Sequence, residues 1–597
     1  MDGSGDVEGK LLLSNELETV DPSWFESPVQ RVSTSGGTAP FFRLVLSEEG
    51  LAELSSRDQS HNGIEMDKNY WIGKDLSHAE DERDFYLQIL ETRSKAQSAE
   101  GDEKQRDFIE GIGLLESFMF DYLGVLRAKT ADCDGNVGFC DLLVMRNMRN
   151  KLYSFRMLDL KVGEKTAQAG WKGKSRLRAM KHHLMDGLSN SGFEGYRLAG
   201  FDGCPEVFDS MDPLMDIAAD KNIADGDDNT RTFWGTEVNK SKVKLAKRIM
   251  LNSMDGTEVF RYFVDLHMKE STSLASPERY TPTEVTEIIA HELMSQLTRL
   301  SAICHRVKIP QKWIGSSVAV AYDAGFFPNR SSAVGKSEDD IRSKVIVKIF
   351  DWGRSELLDA KDFEMMTPEE KKDRNHFWDL YRAGLDRLSY NATRFYYHQF
   401  ANSRGWTKII IQVMDFDSMS SDDYMGSIEI PLPKLSDTQA VMALKENKPY
   451  KLTGIIASTF GSTLHCSIVW VEFPPDSRLE GAWRVSIDRA TNLPPMDVSR
   501  TSDAYCVVMA IDSDKNSRRG HHFHQQTCVK ARNLNPEWGE KIDIPVCRKD
   551  NDSSLMSSLT GNGISSIDEI NMPDVFEWDK RSVNQKNMKL WTDSMST

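Results

Sequence analysis

Two residues of opposite charge, Asp159 and Lys161, stand two positions apart at the end of a short apolar run. If this run is a strand, as its composition predicts, both side chains project from the same face. A carboxylate and an ammonium group side by side can hold a hydroxyl group next to a phosphate group. We therefore interpret Asp159 and Lys161 as candidate catalytic residues for phosphoryl transfer.

The segment after this pair is positively charged, although the 597-residue chain has a formal net charge of −17. Basic residues, with no acidic one among them, lie between positions 165 and 181: Lys165, Lys172, Lys174, Arg176, Arg178 and Lys181. Such a cluster suits a substrate with several phosphate groups, and the open alternative is a solvated basic helix face. The negative charge of the whole chain argues against nucleic acid as a partner.

Two further patterns are typical of kinases. Lys74 ends a predicted strand and Glu82 lies in the predicted helix after it, an arrangement with which kinase N-lobes hold ATP phosphates. Asp351 follows an apolar strand and precedes Trp352 and Gly353, at a position where kinases place a Mg²⁺ ligand. Each pattern is common on its own, so a solvated lysine and a strand-end turn remain open as alternatives.

A second group of carboxylates is predicted at loop tips between β-rich runs, and it comprises Asp415, Asp417, Asp423, Asp497 and Asp503. Several carboxylate oxygens close together are the ligands that Ca²⁺ prefers. The pattern predicts a calcium site, and the alternative is a set of aspartate-rich turns.

The elements around these residues divide the chain. Residues 39–402 mix short strands with helical periodicity, which predicts an α+β domain with an N-lobe at 39–150 and a C-lobe at 151–402. Residues 405–550 are predicted to be all β. Residues 1–38 and 551–597 are predicted to be disordered or mostly so.

Composition limits the class of protein. The chain is 39% hydrophobic and 28% charged, which is ordinary for a globular protein. Its 8 cysteines form no C-x-x-C pair, so neither a zinc site nor a disulfide framework is indicated. The absence of a long apolar run predicts a cytoplasmic or nuclear protein without a membrane span.

Taken in order, the motifs of the first domain resemble the inositol polyphosphate kinase family. Asp159, Lys161 and Gly163 match the Asp-x-Lys-x-Gly part of its signature. Other segments, before and after this signature, stand in the family's order along the chain: Glu82-x-x-Phe85-Tyr86, Gly195-Tyr196-Arg197, Ser316-Ser317 and Leu380–Leu385. The resemblance implies a two-lobed fold of the ATP-grasp and protein-kinase type, with ATP and Mg²⁺ as cofactors and an inositol phosphate as substrate.

The same resemblance implies a role for each matching residue. Lys74 would bind ATP phosphates with Glu82 positioning it, and Asp351 would hold Mg²⁺ with help from Ser316. Asp159 would contact the attacking hydroxyl, and Lys161 would neutralise phosphate charge. The signature proline is replaced by Phe155. A catalytically weak or inactive scaffold is therefore the alternative to an active kinase.

The β-rich region resembles a C2 domain, the calcium-dependent phospholipid-binding β-sandwich. Asp497 and Asp503 match the ligands of its first loop, and Asp415, Asp417 and Asp423 match those of another loop. The half that is usually second comes first here. We favour one circularly permuted domain over two partial copies, because chain ends in such sandwiches lie close together. The fusion predicts a kinase that docks peripherally on anionic membrane when Ca²⁺ rises.

Overall fold

The computed structural model describes residues 19–32, 40–57, 66–78, 80–94, 103–131, 137–152, 155–187, 191–202, 255–264, 280–324, 337–401, 405–416, 422–475, 477–497, 500–511 and 522–548. Two α+β lobes are followed by an all-β sandwich, which confirms the predicted fold class. No helix in these residues is both long and apolar enough to cross a membrane.

The first lobe is built on a closed barrel with strand order β1-β2-β3-β5-β4. Its strands are β1 Val29–Val32, β2 Phe41–Arg43, β3 Trp71–Asp75, β4 Tyr122–Ala131 and β5 Val137–Arg146. Three helices accompany the barrel: α1 Glu48–Arg57, α2 Glu80–Ser94 and α3 Glu103–Glu116. Apolar side chains such as Leu44, Leu142 and Val144 fill its interior. The barrel fixes β3, which carries Lys74.

The predicted disordered segment 1–38 is wrong in part. Val29–Val32 is a barrel strand that pairs with β2 on one side and with β4 on the other. Val29 is buried in the barrel core, and this burial stabilises the strand. The strand was not predicted because the residues directly after Val29 are polar. Residues 1–18 and the predicted tail 551–597 lie outside the described residues.

The second lobe contains a four-stranded sheet with order β10-β9-β6-β7. The strands of this lobe are β6 Phe155–Val162, β7 Tyr196–Asp202, β8 Lys312–Trp313, β9 Ser317–Asp323, β10 Ile346–Phe350 and β11 Ser355–Glu356. Strand β6 lies inside the sheet, between β9 and β7, so Asp159 and Lys161 are placed on an interior strand.

Helices pack around this sheet: α4 Arg176–Gly187, α5 Ser191–Glu194, α6 Gly256–Val264, α7 Pro282–Arg306, α8 Glu338–Arg342, α9 Ala360–Met365 and α10 Pro368–Tyr396. Helix α7 begins with a capping box, in which the Thr281 hydroxyl accepts from the backbone of Glu284 and the Glu284 carboxylate accepts from the backbone of Thr281. The capping box and Pro282 at the first helical position explain why the helix begins here.

The sandwich consists of two four-stranded sheets, β13-β12-β17-β18 and β14-β15-β16-β19. Its elements are β12 Lys408–Asp415, β13 Asp423–Pro431, α11 Thr438–Ala443, β14 Lys448–Lys451, α12 Ile455–Phe460, β15 Thr463–Glu472, β16 Leu479–Thr491, β17 Ala504–Ile511, β18 His522–Gln526 and β19 Glu537–Cys547. Strands from both halves of the region share each sheet and one apolar core. The eight strands therefore form one sandwich.

A buried ion pair joins the sandwich to the second lobe. Arg478 contacts both carboxylate oxygens of Glu287 on α7, with Nε–Oε1 at 2.9 Å and Nη2–Oε2 at 3.0 Å. The Tyr396 hydroxyl of α10 donates to the same carboxylate at 2.6 Å. Phe473 and Leu479 of the sandwich also pack in the apolar core of the lobe. The two parts thus share polar and apolar contacts.

We expect Arg478→Ala to destabilise the protein by about 3 kcal/mol, because it leaves the buried carboxylate of Glu287 without its cation. The matched control is Arg489→Ala in strand β16, which begins directly after Arg478. The half-exposed side chain of Arg489 lies 4.0 Å from Asp488, and its loss should change stability little. Chemical denaturation of the full chain measures the stability of both variants. Equal denaturation midpoints for the two variants would show that the Arg478–Glu287 ion pair does not stabilise the protein.

Candidate functional site

A lysine and a carboxylate of the first lobe meet a carboxylate of the second lobe. Lys74 Nζ on β3 lies 2.5 Å from Glu82 Oε2 on α2 and 3.4 Å from Asp351 Oδ1, just after β10. Lys74 and Glu82 are both buried. Asp351 has φ +66°, a left-handed conformation that is uncommon for a non-glycine residue and is found often at functional sites.

Burial and charge oppose each other at this cluster. Burial by itself would lower the pKa of Lys74, but the carboxylates of Glu82 and Asp351 outweigh it and raise this pKa above its ordinary value. Burial raises the pKa of Glu82 despite the nearby ammonium group of Lys74. For Asp351, burial is outweighed by Lys161 and Lys74, which hold the pKa of its carboxyl well below the usual range. Asp351 is therefore an ionised carboxylate between two cations.

The two residues predicted to be catalytic join the same cluster. Lys161 Nζ forms an ion pair with Asp351 Oδ2. Asp159 lies two residues before Lys161 on β6, where the buried residues alternate with them. Among the described residues, the buried Oδ1 of Asp159 has no hydrogen-bond partner. Burial raises the pKa of Asp159, while the charge of Lys161 opposes this rise.

Ser316 has a different environment from the one predicted. Its side chain is fully buried, and its hydroxyl donates to the backbone oxygen of Trp313 at 3.2 Å rather than to Asp351. Its own backbone oxygen accepts from Val162 at the end of β6. The observed contacts of Ser316 thus join β6 to the segment before β9.

An aromatic stack that the sequence reasoning missed supports the cluster. Phe85, three residues after Glu82, stacks on Trp352 with ring centroids 4.2 Å apart, and Trp352 directly follows Asp351. Trp313 contacts Trp352 edge-on at 5.4 Å. The stack holds helix α2 against the end of β10 and so fixes the distance between Glu82 and Asp351. The sequence could have indicated this stack, because an aromatic residue lies close to each carboxylate in Glu82-x-x-Phe85 and Asp351-Trp352.

The basic segment is not one solvated face. Lys165 Nζ lies 3.1 Å from His376 Nε2, and Lys172 Nζ lies 3.6 Å from Asp81 Oδ1. Lys174 is buried, with its Nζ 3.0 Å from His182 Nε2. Burial and the charge of Lys174 lower the pKa of His182 to about 4, so the neutral ring can accept from the lysine.

The remaining basic residues lie on helix α4. Arg176 and Lys181 are exposed there, and the side chain of Arg178 lies outside the described residues. A buried network behind the segment was missed from sequence: Asp186 Oδ2 accepts from the backbone of Thr166 at 2.8 Å, and Asp186 Oδ1 accepts from Arg197 Nε at 3.0 Å. This network anchors the chain between Lys161 and α4 to β7.

The carboxylates predicted to bind calcium lie at one end of the sandwich. Asp415, the last residue of β12, is buried and its Oδ1 accepts from the backbone nitrogen of Asp503 at 2.5 Å. Asp423 opens β13 opposite Asp415. Asp497 Oδ2 accepts from the Thr501 hydroxyl at 3.3 Å.

The described part of the chain holds no group of three or more His, Cys, Asp or Glu side chains arranged to bind a metal ion. Asp417, the remaining predicted ligand, lies outside the described residues. The chemistry of the four described carboxylates fits a hard cation such as Ca²⁺. Asp422 was missed from sequence, and it accepts from the Tyr505 hydroxyl at 2.5 Å, next to this group.

Comparison with known proteins identifies the sandwich. The C2 domain family model matches residues 391–446 and 481–569, which confirms the predicted C2 resemblance. Synaptotagmin-7 of Mus musculus is 27% identical over 217 residues, covering 36% of this chain and 47% of that protein. Synaptotagmin-2 of Homo sapiens is 24% identical over 148 residues, covering 24% of this chain and 30% of that protein. The chain thus spans about half or less of the length of these relatives.

Two solved structures are similar to part of this chain. The inositol phosphate multikinase Ipk2 of S. cerevisiae, in complex with ADP and Mn²⁺, has a TM-score of 0.27 and 12% identity, covering 47% of this chain and 90% of that one. A second inositol phosphate multikinase has a TM-score of 0.24 and 16% identity, covering 42% of this chain and 85% of that one. At these scores, the likeness carries no conclusion about activity.

We expect Asp159→Asn to stabilise the fold at high pH. Because the folded-state pKa of Asp159 is raised, its contribution to stability is greatest below the unfolded pKa and is lost as pH rises through the folded pKa. The amide removes this loss, so the unfolding midpoint of the variant should exceed that of the wild type at pH 8 and by less at pH 5. Thermal unfolding at both pH values measures the difference. A lower midpoint for the variant at pH 8 would show that the carboxylate is stabilising.

Proposed function

We propose that the two lobes form an ATP- and Mg²⁺-dependent kinase that phosphorylates a hydroxyl or phosphate group of an inositol phosphate. The observation that carries this proposal is the convergence of Lys74, Glu82, Asp351, Lys161 and Asp159 from both lobes, with 277 positions between Lys74 and Asp351. Phosphoryl transfer needs positioning and charge neutralisation more than covalent chemistry, and this cluster offers both.

Each side chain then has a specific task. Asp159, with a raised pKa and an unpartnered oxygen, accepts a hydrogen bond from the acceptor hydroxyl and can take its proton. Lys161 and Lys74 neutralise phosphate charge, and Glu82 holds Lys74 in place. Bound Mg²⁺ would neutralise charge on the ATP phosphates, and the ionised carboxylate of Asp351 fits such a cation.

The basic segment supports a substrate with several phosphate groups. Lys165, Lys172 and Lys174 are held in place by contacts with His376, Asp81 and His182. Arg176 and Lys181 are exposed on α4. Separated cations of this kind can bind phosphates at different positions of one ring. We propose that these residues, with Arg178, select the inositol phosphate.

A catalytically weak scaffold is the second candidate, and one observation favours it. Both oxygens of the Asp351 carboxylate already contact lysines, Oδ1 with Lys74 and Oδ2 with Lys161. A metal ion must compete with these contacts before Asp351 can hold it. In this alternative the C2 domain is the working part of the protein.

ATP turnover with a panel of soluble inositol phosphates distinguishes the two candidates. We expect acceptor-dependent turnover in the wild type and a loss of about 10²- to 10⁴-fold in Asp159→Asn, since the variant cannot take the proton. Asp379→Asn, a matched change at an exposed side chain, should retain turnover. Acceptor-independent turnover, or none, from folded wild type would favour the scaffold.

We further infer that the C2 sandwich docks the protein peripherally on anionic membrane when Ca²⁺ is present. The position of Asp415, Asp423, Asp497 and Asp503 at one end of the sandwich supports this inference, because a bound cation would replace their repulsion of lipid headgroups by attraction. Docking would bring a cytoplasmic enzyme close to the membrane source of inositol phosphates.

We expect Asp503→Asn to weaken calcium-dependent binding to phosphatidylserine vesicles, because it removes one ligand charge. The backbone hydrogen bond that Asp503 Oδ1 accepts from Arg532 can be kept by the amide oxygen, so the loop should remain folded. Asp488→Asn, on β16, is the matched control. Vesicle co-sedimentation with Ca²⁺ and with chelator measures the effect. Binding that is equal under both conditions would contradict calcium dependence.

A further inference from the structure

The short helix α12 of the sandwich exposes large apolar side chains. Ile455 is 93% exposed, Phe460 48% and Ile456 39%, while Ala457 is fully buried against the sandwich. The helix contributes little apolar area to the core through these three residues. A cluster of exposed apolar side chains on a short surface element often marks a contact with a partner or a membrane.

The sheet register places α12 at the carboxylate end. Lys451, before the helix, pairs with Thr463, after it, and Thr463 pairs with Thr491 at the end of β16. The loop with Asp497 and Asp503 follows Thr491 directly. The connection that carries α12 therefore emerges at the same end of the sandwich as the predicted calcium ligands.

Hydrogen bonds tie this connection to the loops on both sides. The Ser462 hydroxyl donates to the backbone oxygen of Asn492 at 2.5 Å. On the other side, the Tyr424 hydroxyl donates to the backbone oxygen of Thr453 at 3.3 Å, and Tyr424 directly follows Asp423. Helix α12 is thus fixed between the two carboxylate loops.

Close packing keeps the helix in this orientation. Gly454 and Gly461, with φ of +138° and +66°, bound it at each end. A Cβ atom at Gly426 would come within 2.8 Å of the Ala457 side chain, so the helix sits directly on β13. Ile455 and Phe460 are held outward by this contact at Ala457.

The surroundings of the helix are basic as well as acidic. Lys451, Arg500 and Arg532 are exposed at the same end. An apolar tip with basic side chains around it is complementary to an anionic bilayer, since the tip can enter the interfacial region while the cations contact headgroups. The cations beside the three apolar side chains favour an anionic bilayer over an uncharged partner surface.

We propose that α12 is a membrane-inserting element, with Ile455, Ile456 and Phe460 entering an anionic phospholipid bilayer. This inference deepens the proposed docking function and rests on it for the orientation of the carboxylate end. It assigns the apolar part of the membrane contact to the segment that joins β14 to β15, outside the aspartate loops.

The test compares Ile455→Asp with Met442→Asp in the full chain. Met442 is a matched control because it is 54% exposed on α11, after the far end of β13. We expect Ile455→Asp to weaken binding to phosphatidylcholine–phosphatidylserine vesicles about tenfold or more, and Met442→Asp to bind as the wild type does. Both variants should unfold at the wild-type temperature, since both side chains are exposed.

The outcomes separate this inference from the docking proposal. Vesicle binding by Ile455→Asp at the wild-type level, in a wild type that needs Ca²⁺, would overturn the inference and leave calcium-dependent docking intact. Binding that is independent of Ca²⁺ but lost in Ile455→Asp would support membrane insertion of α12 and overturn calcium-dependent docking. Absence of wild-type binding would overturn both. Self-association without lipid that Ile455→Asp abolishes would identify a second copy of this chain as the partner and would also overturn the inference.

Discussion

The alternating charges of Glu82, Lys74, Asp351 and Lys161 are the interaction on which the arrangement of the two lobes depends. The first lobe supplies the buried pair Glu82 and Lys74, and the second supplies the partly exposed pair Asp351 and Lys161, so the two lobes meet through these charges. Burying one of these charges without its partner would be strongly unfavourable. The barrel, helix α2, and strands β6 and β10 must therefore hold their side chains in a fixed relation, and the stack of Phe85 on Trp352 reinforces it.

Coupling between the lobes and the sandwich follows from a shared core. Phe473, Leu479 and Ala482 of the sandwich pack in the same apolar cluster as the second lobe, and Glu287 binds Arg478 beside them. The second lobe is therefore held in a defined orientation relative to the sandwich. The lobes and the sandwich are thus joined by more than the chain connection, because polar and apolar contacts both cross the boundary between them.

Local patterns made part of this structure predictable from sequence. The alternation of buried residues along β6 placed Asp159 and Lys161 on one face, and the capping residues Thr281 and Glu284 marked the start of α7. The rest depends on contacts between residues far apart in the chain. The Arg478–Glu287 pair spans 191 positions, and the barrel strand at Val29 is stabilised by β2 and β4 rather than by its own composition. The hydroxyl of Ser316 likewise faces Trp313 for reasons of packing that no motif encodes.

Chromatography of the products formed from radiolabelled γ-phosphate ATP and soluble inositol phosphates measures whether the charge cluster supports phosphoryl transfer to an inositol phosphate. We expect a labelled inositol phosphate from the wild type and none from Lys161→Met, which removes the cation beside the transferring group. If folded wild type labels none of these acceptors, with Mg²⁺ and with or without Ca²⁺ and anionic vesicles, the two lobes do not form such a kinase.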